Sequence, residues 1–449
     1  MLSRREAERV AVPAVVSAKR APVLLTMAGF AGTLAAARCL GRAGLRVVVA
    51  SDGRLRPAAW SRCVKETVRC PPASEPARFL EWLLEFGAQH PGHFLYPTGD
   101  DLAYLLARHR QELSKNFLLY QPSEQVILDL LDKRSLYAAC SRVAIDTPRT
   151  FIPESEADLA RIAAEASFPL LFKPRTNVMF RPVPKDQRAK RRSTLCWRVE
   201  RREDLTPTYH SYRQQNAHAQ AIIAARPGIE LPILQEYHAS EGGIESIAGF
   251  IDESGDLLVA RASNKIFQRP RSAGIGICFE QAPLDEVVLQ ALRRLCSLVG
   301  YYGVFEAEFI RKNGRRLLID FNPRFYGQMG FEIARGLPLP LLAYSAASGD
   351  RQALAKAIED ARAFRQEPGQ VYCHRFALGM VITAQRVAGR MKRPEARWWR
   401  RWVRSHKGRA IDAAYDRADP VPFAFEALVH IADALRHPGG FVRSVVFDR

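Results

Sequence analysis

GVFEAEFIRKNGRRLLIDFNPR, residues 303 to 324, is where carboxylates, an amide and an arginine gather at orderly spacing. The run predicts a two-stranded hairpin. Val304, Phe305, Ala307, Phe309 and Ile310 supply one apolar strand, Lys312-Asn313-Gly314-Arg315 the turn, and Leu317, Leu318, Ile319 and Phe321 the return strand. Side chains alternate faces along a strand, so Glu306, Glu308 and Ile310 share a face, as do Asp320 and Asn322. In the register that the turn suggests, Glu308 approaches Asp320 and Asn322. Three oxygen donors around one point suit magnesium, a hard ion that keeps several waters and shares one or two carboxylates with nucleotide phosphates. Arg324 adds a permanently charged fork for a phosphate oxygen. The plainer alternative is an amphipathic hairpin with a solvated acidic face. Against it, Asn-Pro-Arg is a poor choice for merely continuing a sheet.

The chain around this hairpin has 449 residues, enough for two or three domains with cores of their own. A composition of 47% hydrophobic and 25% charged residues is that of a soluble globular protein. The formal net charge of +19 fits an anionic substrate, nucleic acid or a membrane surface, and says nothing about fold. Cysteines are scattered without a Cys-x-x-Cys pair, which argues against a structural zinc site or a disulfide framework and for reduced thiols in the cytoplasm. Residues 1–21 read as a flexible extension; with Glu6 and Glu8 among the arginines, a secretory signal is not expected. No run of about twenty apolar residues reads as a membrane span.

From Val23 the chain reads strand, glycine turn, helix, strand, with glycines at 29 and 32 and a stop at Gly44, a βαβ unit without a complete GxGxxG. Such a helix start suits packing or an anion better than a dinucleotide. Thr98 to Asp101 falls at a strand's carboxyl end, where Asp100 reads first as a helix cap and second as a substrate contact. Residues 128–140 read as one amphipathic helix, and 168–174, FPLLFKP, as a buried strand. Lys173 in that strand is costly unless it meets an anion. Residues 175–202 form a long basic loop containing Arg181, Lys185, Arg188, Lys190, Arg191 and Arg192. Ile233 to Tyr237 is a strand, 241–255 two further strands joined by turns, and 264–280 a pair of β-like runs carrying Lys265, Arg269 and Arg271. The last hundred residues read as mostly helical, with 419–422 closing a linker. Residues 392–409 interleave arginine with Trp398, Trp399 and Trp402, which suits anionic lipid, nucleic acid or a helix docked on its own protein.

With these residues in view, the sequence resembles the ATP-grasp superfamily and, within it, the carboxylate-amine ligases. Glu308 and Asp320-Phe321-Asn322-Pro323-Arg324 match the family's metal-binding glutamate and Glu-hydrophobic-Asn-Pro-Arg run, with aspartate in place of the second glutamate. The resemblance implies α/β and α+β architecture: a Rossmann-like domain over 22–127, a two-lobed ATP-grasp domain over 128–350 with lobes of about 128–235 and 236–350 and a flap at 175–202, and a basic, mainly helical region over 351–449. It implies that Glu308, Asp320 and Asn322 hold Mg2+, with Mn2+ as an alternative. Lys133, of Asp132-Lys133, and Lys173 meet ATP phosphates; Gln235, Glu236 and Tyr237 form the adenine hinge, with Glu245 toward the ribose. Arg324, Lys265 and Arg271 are the catalytic candidates, with the basic group that meets the transferred phosphate open among Lys265, Arg269 and Arg271. A basic flap replaces the family's glycine-rich one.

The expected activity is ADP-forming ligation of a small-molecule carboxylate to an amine through an acyl phosphate. A non-catalytic ATP-binding regulator on the same fold, a basic membrane-surface or nucleic-acid-binding protein and a phosphoryl transferase are the rivals. No specific nucleic acid partner is expected; a homodimer and peripheral contact of 392–409 with anionic membrane are further expectations, with a cytoplasmic location.

Overall fold

The computed structural model describes residues 20–178, 196–215, 218, 220–271, 274–436 and 438–446. Residues 1–19 of the extension expected over 1–21, and the core of the basic flap, 179–195, lie outside them.

Short apolar runs with no polar face make strands covered on both sides. Such runs give β1 (Val23–Leu25), β2 (Val47–Ser51), β4 (His93–Leu95) and β5 (Phe117–Leu119), which with the largely exposed edge strand β3 (Glu66–Arg69) form a parallel sheet in the order β3-β2-β1-β4-β5. The Rossmann-like reading of this region holds in its topology. Gly32, at the start of helix Ala31–Arg42, has a packing reason: a Cβ there would stand 2.4 Å from the carbonyl oxygen of Tyr326.

A smaller antiparallel sheet follows, ordered β6-β9-β7-β8, from β6 (Thr150–Phe151), β7 (Leu170–Lys173), β8 (Trp197–Val199) and β9 (Ile233–Glu236). Leu170, Phe172 and Leu234 pack there against Leu159, Ile162 and Tyr212 from its helices. The predicted single helix at 128–140 is two, Glu124–Leu131 and Lys133–Arg142. The break is Asp132, whose extended backbone and carboxylate cap the second helix by accepting the Arg134 N–H at 3.0 Å. Burial of that carboxylate beside Arg175 outweighs helix continuity.

The third sheet has seven strands in the order β14-β13-β10-β11-β12-β15-β16: β10 (Ile244–Ile251), β11 (Leu258–Arg269), β12 (Ile275–Ala282), β13 (Gly303–Lys312), β14 (Arg315–Asn322), β15 (Val371–Cys373) and β16 (Ala410–Asp412). The 303–324 hairpin is present, and its turn is the tight Asn313-Gly314 pair, both at positive φ (51° and 72°), the conformation this dipeptide favours. Residues 241–255 supply one strand rather than two; the next begins only at Leu258, beyond the Asp252–Gly255 turn.

The last hundred residues carry helices, as expected, but also β15 and β16, which extend the central sheet. Within the predicted linker at 419–422, Asp419 is a buried tie to the parallel-sheet region. The Asp419 carboxylate, 1% exposed, accepts from Arg38 Nε at 2.9 Å, Ser61 Oγ at 2.6 Å and the Arg62 N–H at 2.9 Å, and Phe425 stacks on Trp60. In helix Arg393–Ser405, Trp399 and Trp402 pack against Phe267, Ile277 and Leu378, and Trp402 Nε1 donates to Glu280 at 2.7 Å. Two of the three tryptophans that motivated a membrane-surface reading are therefore core residues; Trp398 stays half exposed. No helix among the described residues is long and apolar enough to cross a membrane.

Candidate active site

Where the small sheet faces the central one, a cavity of about 250 Å3 opens between β7, β9 and the near ends of β10, β11 and β13, with Lys173, Gln235 and Lys265 among its walls. Next to the cavity wall at Lys265 and Ile319, the strand register brings the hairpin's acidic residues together. Glu308 stands directly opposite Asp320, and Glu306 opposite Asn322. A bulge just after Glu308 leaves Ile319 unpaired, and Ile319 lines the cavity.

Each carboxylate meets a cation from another element. Lys133, at the start of its helix, reaches Asp320 at 2.9 Å, and Lys265 on β11 reaches Glu308 at 2.6 Å. Burial opposes charge on both members of the first pair, yet each holds the other ionised: Lys133 stays above the usual lysine value and Asp320 below the usual carboxylate value. Lys173 differs. Its ammonium donates to Gln235 Oε1 at 2.8 Å, a neutral partner, and burial pushes it below the usual lysine value. Gln235 is held in turn by donating to Tyr137 Oη at 3.0 Å and Thr150 Oγ1 at 3.1 Å. A half-buried ammonium at a cavity wall, with no carboxylate bonded to it among the described residues, suits an incoming anion.

Arg324 is anchored by Asp100, by the Phe325 carbonyl at 3.0 Å and by Asn322 Oδ1 at 3.0 Å. The capping role read for Asp100 is corrected: its side chain makes no cap, because Gly99 holds that position and Arg324 takes the carboxylate. Glu236 and Tyr237 line the cavity, Glu236 accepting from the Ser167 N–H at 3.1 Å and the Tyr237 N–H donating to the Pro169 carbonyl at 3.0 Å. Arg271 also lines it, paired with Glu395 of the C-terminal helical region. Arg269 sits half-buried at the end of β11.

Glu245 is not part of this constellation. Alternation along β10 turns it to the face of Ile247, opposite to that of Ser246, and there it is fully buried between Arg311 at 2.9 Å and Arg316 at 2.6 Å. Glu306 was missed as a site residue, although its spacing of two from Glu308 puts it on the same face. It is buried, accepts from Ser246 Oγ at 2.7 Å, from Asn322 Nδ2 at 3.1 Å and from Gln328, and burial together with Glu308 pushes it up to about 7.

Among the described residues no three His, Cys, Asp or Glu side chains converge tightly enough to hold a metal by themselves. Two carboxylates and an amide oxygen, from Glu308, Asp320 and Asn322, nevertheless form a hard-donor set of the kind magnesium takes when phosphate and water complete its shell. Lys133 and Lys265 hold the two carboxylates at 2.9 and 2.6 Å.

No family model matches the chain. A D-aspartate ligase of Enterococcus faecium (strain Aus0004) is 22% identical over 302 residues, spanning 65% of this chain and 68% of that protein. Among solved structures, a biotin carboxylase from Campylobacter jejuni in complex with β-γ-ATP superposes with a TM-score of 0.55 at 15% identity, covering 73% of this chain and 71% of that one. An L-amino acid ligase from Bacillus licheniformis gives 0.54 at 14% identity over 78% of each chain. The ADP complex of N5-carboxyaminoimidazole synthetase from Staphylococcus aureus gives 0.53 at 12% identity, over 73% of this chain and 77% of that one. At these identities the likeness is one of fold.

Proposed function

We propose that this chain, which has the ATP-grasp fold, is an ATP-dependent ligase that activates a carboxylate as an acyl phosphate and joins it to an amine, releasing ADP and phosphate. The observation that carries the reading is the meeting of Glu308 and Asp320 with Lys133, Lys265 and the anion-seeking Lys173 at one cleft, from elements far apart in sequence. The adenine would sit against the hinge of Gln235, Glu236 and Tyr237, which line the cavity. Lys133, Lys173 and Arg324 hold the polyphosphate. Glu308, Asp320 and Asn322 would hold magnesium, which would supply charge neutralisation for phosphoryl transfer to the carboxylate. The basic group that meets the transferred phosphate is one of Lys265, Arg269 and Arg271, and the cavity lining by Lys265 and Arg271 supports those two. The amine then displaces phosphate from the acyl carbon. Positioning and electrostatics carry the catalysis, and closure around the cleft keeps water from the acyl phosphate.

The test is ADP and phosphate release screened over pairs of acids and amines, with D- and L-amino acids first, D-aspartate among them because of the relative that bears its name. Release that needs both an acid and an amine supports the ligase. Tight ADP binding with no turnover across the screen would instead mark a nucleotide-binding regulator.

Replacing Lys173 with methionine removes a charge-assisted contact worth about 1.5–3 kcal/mol, so ATP binding by calorimetry weakens roughly 10- to 100-fold while the fold persists. Because burial lowers its pKa, Lys173 loses its proton earlier than an ordinary lysine as pH rises. Wild-type ATP affinity therefore falls on the alkaline side, and Lys173→Arg flattens that limb. An affinity independent of pH up to the ordinary lysine range would count against the assignment.

A further inference from the structure

Glu306 is buried, and both of its carboxylate oxygens are taken by protein donors. Its donors come from three elements: Ser246 on β10, Asn322 on β14, and Gln328 at the start of helix Met329–Ala334. Two of them, Ser246 and Gln328, share Oε1, leaving Oε2 to the Asn322 amide. On its other side that amide receives Arg324, and Arg324 is fixed by Asp100.

The ends of an asparagine amide differ chemically, one donating and one accepting. With Glu306 accepting on one side and Arg324 donating on the other, one orientation of Asn322 satisfies both. Turned over, its NH2 would face a guanidinium and its oxygen a carboxylate. Arg324 occupies one lone pair of Oδ1, and the second remains for another partner. We infer that Glu306 is a positioning residue that locks the Asn322 amide so that its oxygen, rather than its nitrogen, is presented to the divalent cation. This rests on the metal-nucleotide reading above and extends it to a residue beyond the three donors. Such outer partners commonly change metal affinity about 10- to 100-fold when altered.

The test measures Mn2+ binding in the presence of ADP, by electron paramagnetic resonance, beside ADP binding without metal by calorimetry. In Glu306→Gln the new amide keeps its oxygen toward Ser246 and Gln328, the side with two donors, and turns its NH2 toward Asn322, which favours the wrong orientation there. Mn2+ affinity is expected to fall about 10- to 100-fold, with metal-free ADP affinity and melting temperature close to wild type. The double variant Glu306→Gln, Asn322→Asp is expected to recover most of the loss, since a carboxylate offers oxygen either way and accepts from the new amide. Asn322→Asp alone, which sets two carboxylates against each other, is expected to bind Mn2+ poorly. Glu306→Gln binding Mn2+ within about twofold of wild type, or a double variant no better than the single one, overturns the orienting role while leaving the ligase reading intact. A wild-type protein that binds ADP but takes up no Mn2+ with it overturns both.

Discussion

Asp320→Asn lowers ADP release roughly 100- to 1,000-fold, the loss expected when one preorganised electrostatic group is removed from a water-poor site. Two effects act together. A donor for the divalent ion is weakened, and the buried ammonium of Lys133 loses the carboxylate at 2.9 Å that keeps it charged. Side-chain volume is nearly unchanged, so the hairpin packing survives. Steady-state ADP release on the substrate pair found by screening, with metal-free ADP binding as a control for folding, measures the outcome. Activity within tenfold of wild type would remove Asp320 from the chemistry. The companion Glu308→Gln is expected to fall in the same range, because Lys265 is left in the same position there.

The second large effect is on stability. Asp132→Ala is expected to cost about 3–5 kcal/mol, the range for stripping one partner from a buried ion pair. The Asp132 carboxylate is fully buried; both oxygens receive Arg175 at 2.6 Å, Arg226 adds a contact at 3.3 Å, and the Arg134 N–H is capped. Burial would raise its pKa, but Arg175 holds it below the usual carboxylate value. With the folded-state value depressed, the stabilisation is present above the unfolded-state pKa and is lost as pH falls toward the folded one. Wild type and variant therefore converge in acid. Urea unfolding at neutral and acidic pH measures both quantities; Arg134→Ala, which breaks an exposed pair with Glu154, serves as the control with a change of about 1 kcal/mol or less.

How much of this was legible in advance depended on how local each determinant is. The hairpin could be read because its turn, alternation and charges lie within one short stretch, and its register brought Glu308 opposite Asp320 as expected. The place of Lys173 at the cleft was legible for the same reason: a lone charge in an apolar strand needs a partner. The role of Glu306 was not, since two of its three partners, Ser246 and Gln328, reach it from other elements. Glu245 was set toward the ribose because a strand's period separates two faces without saying which one holds the cleft; Arg311 and Arg316 settle that from across the sheet. Asp132 looked like a helix residue because nothing nearby announces Arg175. β15 and β16 have three residues each, too few to show any period.

Those two short strands set a limit on where this chain can be cut. β15 covers the outer edge of β12 between Cys278 and Glu280, and β16 covers β15. A chain shortened to about residue 350 would keep every proposed nucleotide contact, yet leave a row of bare amides and carbonyls along β12 and uncover Phe267 and Ile277 where Trp399 and Trp402 now sit. Open edges of that kind template pairing between molecules. The shortened protein would then be found in clumps rather than in solution, for reasons unrelated to its chemistry.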